Sequence, residues 1–130
     1  IEHQDYLLGI VDVFKKAGIR VSLFVDADEK MISGARDAGA NRVELYTESY
    51  AHQYQRNREK AIEPYLAAAK LAKSLGLGIN AGHDLDLNNL AYLHQQIPWM
   101  DEVSIGHALI ADALYYGLEN AIQLYQRQLR

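Results

Sequence analysis

The sequence predicts an α/β fold in which short parallel strands alternate with helices. Four short apolar runs rich in branched or aromatic residues recur along the chain, and segments with apolar residues at helical spacing separate them. The runs start roughly 20 to 35 residues apart, which leaves room for a helical crossover between successive parallel strands. We therefore expect right-handed βαβ units and a parallel sheet.

In the first half of the chain, apolar spacing predicts a helix over residues 5–17, and a glycine follows as its stop signal. Residues 20–25 are β-branched and aromatic, which is typical of a strand. Asp26-Ala-Asp-Glu supplies the cap and acidic first turn of a second helix that ends at Gly39. Residues 41–46 form the second predicted strand. Residues 47–60 form a long polar loop, and long loops are often functional lids.

In the second half, a helix that ends at Gly76 leads into a strand over residues 77–81. A helix near residues 87–96 is stopped by a proline, and a strand over residues 102–105 follows. The last helical region breaks at Gly117. We expect residues 1–130 to form a single unit. Four such strands make either a small open sheet or half of an eight-stranded barrel, which typically needs about 250 residues, and periodicity does not separate the two.

Composition narrows the function classes. The chain has 49% hydrophobic and 23% charged residues, which is typical of a globular domain. Its 17 acidic and 13 basic residues give a net charge of −4, which argues against nucleic-acid binding. It contains no cysteine, which excludes disulfides and cysteine-ligated zinc. Neither a membrane span nor a signal peptide is recognisable, so we expect a cytoplasmic protein. The first residue, Ile1, suggests that the chain begins inside a longer gene product.

Polar side chains stand at or just past the carboxyl end of every predicted strand. In chain order these residues are Asp26 and Asp28, Glu44 and Tyr46, Asn80 and His83, and Ser104, Gly106 and His107. The amino ends offer little beyond Arg20 and Arg42. Because the carboxyl ends of parallel strands meet at one edge, where active sites of βα folds lie, this asymmetry predicts a catalytic edge.

Glu44 lies between Val43 and Leu45, so strand alternation turns it to the face opposite these two residues. In a barrel that face is the interior, where a carboxylate is costly unless it is paired or functional. The alternative is a glutamate of an edge strand that faces solvent.

Two Gly-His pairs, Gly82-His83 and Gly106-His107, each end a predicted strand. Glycine lets the backbone approach a ligand closely, and histidine can transfer protons or bind an oxyanion. A helix start after a late barrel strand is also a frequent phosphate site. The alternative is a tight turn followed by an ordinary polar residue, and the occurrence of two equivalent pairs weakens it.

Other polar residues have simpler interpretations. The segment from Asp26 to Glu29 could suggest a hard-metal site, but a helix cap explains it fully. His3, His52 and His94 lack ligand spacing and are expected at the surface. Five tyrosines are expected to serve packing or an interface, namely Tyr50, Tyr54, Tyr115, Tyr116 and Tyr125. The sequence contains no dinucleotide-binding glycine fingerprint and no P-loop.

Four strand-end motifs together resemble the pyridoxine 5′-phosphate synthase family, in order and in spacing. The motifs are Val21-Ser-Leu-Phe-Val-Asp-Ala-Asp28, Val43-Glu-Leu-Tyr-Thr47, Asn80-Ala-Gly-His-Asp-Leu85 and Ser104-Ile-Gly-His-Ala108. The resemblance runs from about Gly18 to the carboxyl terminus. The family is a (β/α)₈ barrel of about twice this length, and the motifs resemble its last four strands. The resemblance therefore implies the second half of a TIM barrel.

The resemblance implies a reaction and a set of roles. Members condense 3-amino-2-oxopropyl phosphate with 1-deoxy-D-xylulose 5-phosphate, with loss of phosphate and water, and require no metal or organic cofactor. His83 matches the family's proton donor and Glu44 its transition-state stabiliser. Gly106, His107 and the backbone of Asp84 match positions that bind substrate phosphate. Many members have glycine at position 84 and histidine at position 46, where this chain has Asp84 and Tyr46.

Three interpretations follow. In the leading one, the chain is the second half of this synthase and is inactive alone, because half of the catalytic groups are missing. In the second, it is a structural half-barrel whose two sheet edges and apolar barrel interior drive homo-oligomer formation. In the third, it belongs to a barrel that binds a different sugar phosphate. The leading interpretation implies small phosphorylated substrates and inorganic phosphate as partners, without nucleic acid or membrane.

Overall fold

The computed structural model describes residues 3–130, and Ile1, on which the expectation of a longer gene product rests, lies outside them. Strands and helices alternate along the chain, as the sequence predicts. The elements are α1 (Gln4–Lys16), β1 (Ser22–Val25), α2 (Glu29–Asp37), β2 (Arg42–Tyr46), α3 (Glu48–Tyr54), α4 (Arg58–Ser74), β3 (Gly78–Gly82), α5 (Leu90–Gln96), β4 (Glu102–Ser104), α6 (His107–Tyr116) and α7 (Leu118–Arg127).

The four strands form one parallel sheet in the order β1-β2-β3-β4. Each strand pairs with its neighbours in sequence, so helical connections carry the chain steadily across the sheet. The strands β2 and β3 are central, and β1 and β4 form the edges. Glu44 lies on β2, paired with Phe24 on one side and Asn80 on the other, so its alternative reading as a residue of an edge strand is wrong.

One face of the sheet packs against the helices and forms the core. Val43, Leu45 and Ile79 point to this face and are at most 1% exposed. Because strand side chains alternate, the intervening residues point to the opposite face, which we call the open face. Its main side chains are Ser22, Phe24, Arg42, Glu44, Tyr46, Asn80, Glu102 and Ser104.

The open face is polar, so the expectation of an apolar interior is wrong. Phe24 is its one large apolar side chain among the strand residues just named. Near the amino ends of the strands, the Arg42 guanidinium donates to Asn80 Oδ1 at 3.1 Å and pairs with Glu102 Oε1 at 3.1 Å. Asn80 Nδ2 donates to Glu102 Oε2 at 3.2 Å, and Arg20 pairs with Glu102 at 2.7 Å. These contacts pair polar groups of β2, β3 and β4 with one another, and Arg20, which precedes β1, joins them.

The prediction of a long loop over residues 47–60 is wrong, because α3 and the start of α4 occupy most of this segment. Tyr50 on α3 is fully buried, and its hydroxyl donates to the Asn89 backbone carbonyl at 2.8 Å. Tyr65 on α4 packs edge-on against the Tyr50 ring at a centroid distance of 5.6 Å. Tyr50 therefore anchors α3 to the core, although residues 55–60 are exposed, because burial of this aromatic ring outweighs the polar composition around it.

The outer helices are less buried than their apolar spacing predicts. In α1 only Val11 is buried, whereas Phe14 is 44% exposed. No residue of α6 is buried, and its Leu114 and Tyr115 are more than 80% exposed. Over the part of the chain that the structure describes, no helix combines the length and the apolar character that crossing a membrane requires.

Candidate functional site at the carboxyl edge of the sheet

The Gly-His turn after β3 has a structural cause. A Cβ at Gly82 would lie 2.3 Å from the Ser104 carbonyl oxygen, so only glycine fits where β3 and β4 approach each other. His83 follows with φ of 66°, the one positive φ among the described non-glycine residues. Its backbone N–H donates to the same Ser104 carbonyl at 2.7 Å. Such left-handed residues often mark functional sites because packing must hold them there.

Thr47 links the end of β2 to this turn through a hydrogen bond. The sequence did not single out Thr47 as a site residue. Thr47 is fully buried, and its Oγ1 donates to the Gly82 carbonyl. The Asp84 backbone N–H donates to the Gly82 carbonyl at 2.9 Å and also lies 3.3 Å from Thr47 Oγ1. The only sequence signal was the position of Thr47 directly after a strand.

The structure brings together most of the site residues that the sequence predicts. An open cleft of about 380 Å³ is lined by Phe24, Glu44, His83, Ser104, Ile105 and Gly106. Ser104 Oγ donates to Glu44 Oε2 across 3.4 Å. The rings of His83 and His107 meet edge-on at a centroid distance of 5.7 Å. A carboxylate, an imidazole and a hydroxyl thus share one cleft, and the second imidazole lies beside it. Such a set of groups is suited to proton transfer.

The start of α6 borders the same cleft. Gly106 is its N-cap residue, and no side chain caps the helix. The first backbone N–H groups of a helix have no partner within the helix, and the helix dipole favours an anion there. A Cβ at Gly106 would meet nothing within 4 Å, so a ligand has room to approach the backbone. The geometry suits a phosphate group.

Tyr46 lies beside the cleft on the open face. Its ring packs against Phe24 at a centroid distance of 5.3 Å, and its hydroxyl donates to Glu48 Oε2 at 2.9 Å. This hydrogen bond to a carboxylate, followed by desolvation, raises the pKa of Tyr46. The hydroxyl is therefore held in its neutral, hydrogen-bonding form.

Other strand-end residues serve elsewhere. Asp28 caps α2, and its carboxylate accepts from the backbone N–H of Lys30 at 2.9 Å and of Met31 at 3.2 Å, as the helix-cap interpretation predicts. Asp26 lines a separate depression with Tyr46 and other residues. No three histidine, aspartate or glutamate side chains within residues 3–130 group closely enough to hold a metal ion.

The remaining histidines and tyrosines differ in how far their side chains are buried. His3 and His52 are exposed, as expected, whereas His94 is half-buried. Tyr50 and Tyr125 are buried in packing roles, and burial strongly raises the pKa of both hydroxyls. Tyr115 and Tyr116 are exposed, so their predicted role at an interface stays a prediction.

Comparison with known proteins decides the family. A family model described as "Pyridoxal phosphate biosynthesis protein PdxJ" matches residues 1–130. The chain belongs to this family. The family is a TIM-barrel family, and the four parallel strands alternating with helices agree with about half of such a barrel.

Curated relatives carry a consistent name. The chain is 66% identical to the pyridoxine 5′-phosphate synthase of Cytophaga hutchinsonii over all of its own length and 55% of that protein. It is 59% identical to the protein of the same name from Phocaeicola vulgatus, over 97% of the chain and 53% of that protein. The Bacteroides thetaiotaomicron protein of that name is 58% identical over the same shares. The chain thus spans about half the length of the curated relatives it matches.

Proposed function

We propose that this PdxJ-family chain forms the carboxyl-terminal half of a pyridoxine 5′-phosphate synthase. The reaction joins 3-amino-2-oxopropyl phosphate to 1-deoxy-D-xylulose 5-phosphate, with loss of phosphate and water. The observation that carries the proposal is the single cleft shared by Glu44, His83 and Gly106, with His107 beside it. The names of the relatives support the reaction class.

His83 is proposed as the proton donor and Glu44 as the stabilising carboxylate. Ring closure between an amine and a ketose phosphate requires several proton transfers, and an imidazole can both give and accept protons near neutral pH. Glu44 faces the same cleft, where a fixed negative charge favours the positive charge that develops on nitrogen during imine formation. Ser104 contacts Glu44 and holds its carboxylate in place.

The phosphate of the substrate is proposed to bind at Gly106 and His107. Backbone N–H groups at the start of α6 and the imidazole of His107 supply the hydrogen bonds and the dipole. Asp84, also proposed from the resemblance, offers its backbone N–H, which in the free chain donates to Gly82 and Thr47. Phosphate would have to replace these two hydrogen bonds, so we expect the Asp84 N–H to make the weakest of the three phosphate contacts.

Reconstitution tests the proposal. The chain spans about half of each relative, so we expect no product from the chain alone and product when the amino-terminal half of the Cytophaga hutchinsonii protein is supplied. His83→Ala should abolish product, whereas His52→Ala, at an exposed site on α3, should leave the rate unchanged. Product from the chain alone would contradict the half-site proposal. Absence of product from the combined halves, with both folded and associated, would contradict the reaction.

Substrate binding separates the remaining interpretations. We expect 1-deoxy-D-xylulose 5-phosphate to bind the reconstituted protein, and His107→Ala to weaken that binding by about tenfold, the loss of about one charge-assisted hydrogen bond. A structural half-barrel predicts no binding. Tight binding of a different sugar phosphate, with none of deoxyxylulose phosphate, would favour another barrel enzyme.

We also propose that the chain is cytoplasmic and self-associates, without nucleic acid or membrane as partners. Two unpaired sheet edges, β1 and β4, and the exposed apolar side chains of α6 favour association. Light scattering should show a species larger than 14.7 kDa at micromolar concentration. A strictly monomeric chain would contradict this proposal.

A further inference from the structure

The carboxylate of Asp84 lies against the ring of His83. Asp84 Oδ1 is 3.3 Å from His83 Nδ1, close enough for a hydrogen bond when that nitrogen carries the proton. The other carboxylate oxygen, Oδ2, is buried and has no hydrogen-bond partner. Nδ1 of His83 is the one partner that the described residues offer this carboxylate.

The backbone of Asp84 is held from both sides. Its N–H donates to the Gly82 carbonyl at 2.9 Å, and its carbonyl accepts from Asn89 Nδ2 at 3.3 Å. Asn89 is itself only 4% exposed, and its own carbonyl accepts from the buried Tyr50 hydroxyl at 2.8 Å. The carboxylate therefore projects from a fixed segment, whereas the His83 side chain is 59% exposed and free to turn unless something holds it.

The surroundings of the ring give its two nitrogens different roles. Nδ1 faces Asp84, while the ring borders the cleft that Glu44 lines and packs edge-on against His107. A carboxylate at Nδ1 favours the tautomer with the proton on that nitrogen. The other nitrogen, Nε2, is then bare in the neutral ring and carries a proton in the charged ring.

We propose that Asp84 is a positioning residue that holds the proton of His83 on Nδ1 and fixes the ring, so that Nε2 exchanges protons with the substrate. Its use in catalysis rests on the proposed function. In the neutral form Nε2 accepts a proton, and in the charged form it donates one, while the Nδ1–H···Oδ1 contact persists in both. The same histidine can thus accept a proton in one step and donate one in the next without rotation of its ring.

The tautomer of His83 can be measured without substrate. Long-range ¹H–¹⁵N correlation spectra of the chain, labelled on its five histidines, distinguish the protonated from the bare ring nitrogen, and His83→Gln assigns the signals. At a pH where the rings are neutral, we expect the Nδ1–H form of His83 to predominate. In Asp84→Asn the ratio of Nδ1–H to Nε2–H should fall at least threefold, about 0.7 kcal/mol, as fits an ion-assisted contact at a half-exposed side chain.

Two further variants separate positioning from general effects. Glu48→Gln removes a different carboxylate, one that contacts Tyr46 rather than His83. This variant should leave the tautomer ratio of His83 unchanged. Asp84→Glu keeps a carboxylate and should recover part of the wild-type ratio. A wild-type ring that is mainly Nε2–H would overturn the proposal even if Asp84→Asn failed to fold. An unchanged ratio in Asp84→Asn, or an equal fall in Glu48→Gln, would overturn it as well. Because no substrate is present, these results do not depend on whether the synthase reaction is the right one.

Discussion

Replacement of Gly82 by alanine tests how closely β3 and β4 must approach at the site. The added Cβ would lie 2.3 Å from the Ser104 carbonyl oxygen, and 2.9 Å and 3.0 Å from the Ser104 Cβ and carbonyl carbon. Ordinary contacts begin at 3.4 Å, so the two strands must separate by about 1.1 Å, the difference between 3.4 Å and 2.3 Å. The obstacle is backbone, which cannot move aside as a flexible side chain would.

The free-energy cost has two parts. Overpacking against a fixed neighbour costs about 1–3 kcal/mol. Separation of the strands also stretches the hydrogen bond from the His83 N–H to the Ser104 carbonyl, now 2.7 Å long, and its loss costs about 1 kcal/mol. We therefore expect Gly82→Ala to lower the free energy of unfolding by about 2–4 kcal/mol.

Urea denaturation followed by circular dichroism measures this loss. Gly9→Ala is the matched control, because Gly9 lies inside α1 with nothing within 4 Å of an added Cβ. Alanine in a helix interior should raise the stability by about 0.5–1 kcal/mol. A loss below about 0.5 kcal/mol for Gly82→Ala would refute the reasoning, because it would show that β3 and β4 can separate at almost no cost in free energy.

Three other substitutions test separate contacts. Tyr50→Phe leaves the Asn89 carbonyl without its buried donor and should lower the free energy of unfolding by about 1–3 kcal/mol in the same denaturation assay, and a neutral result would contradict the role of that bond. Asp28→Ala removes the cap of α2 and should cost about 1 kcal/mol; an unchanged urea midpoint would show that the cap contributes nothing. Glu48→Gln removes the carboxylate that raises the pKa of Tyr46, so the tyrosine should ionise at lower pH in an absorbance titration, and an equal or higher pKa would exclude Glu48 as the cause.

Much of the site could be predicted from the chain because its signals are local. Alternation along β2 placed Glu44 opposite Val43 and Leu45, and the structure shows that arrangement. The Gly82-His83 pair marked the end of β3 because glycine and a polar residue ended an apolar run.

What the sequence analysis missed depends on distant partners. The polar segment from Glu48 to Tyr54 forms a helix because Tyr50 packs against Tyr65, fifteen residues later, and that burial outweighs local composition. The open face was expected to be apolar, but Arg42, Asn80 and Glu102 satisfy one another across three strands. Neither interaction leaves a periodic signal.

By itself the sequence determined the order of strands and helices, the polar edge and, through four motifs in register, the family. These features depend on spacing along the chain, where neighbouring residues share one helix or strand. Only the tertiary structure decided which polar groups meet. The sheet register sets Gly82 beside Ser104. In the turn that follows, the Asp84 carboxylate lies against the ring of His83, and the Asp84 backbone N–H points towards Thr47. These groups converge because parallel strands bring residues from distant parts of the chain to one edge, at separations that no local pattern encodes.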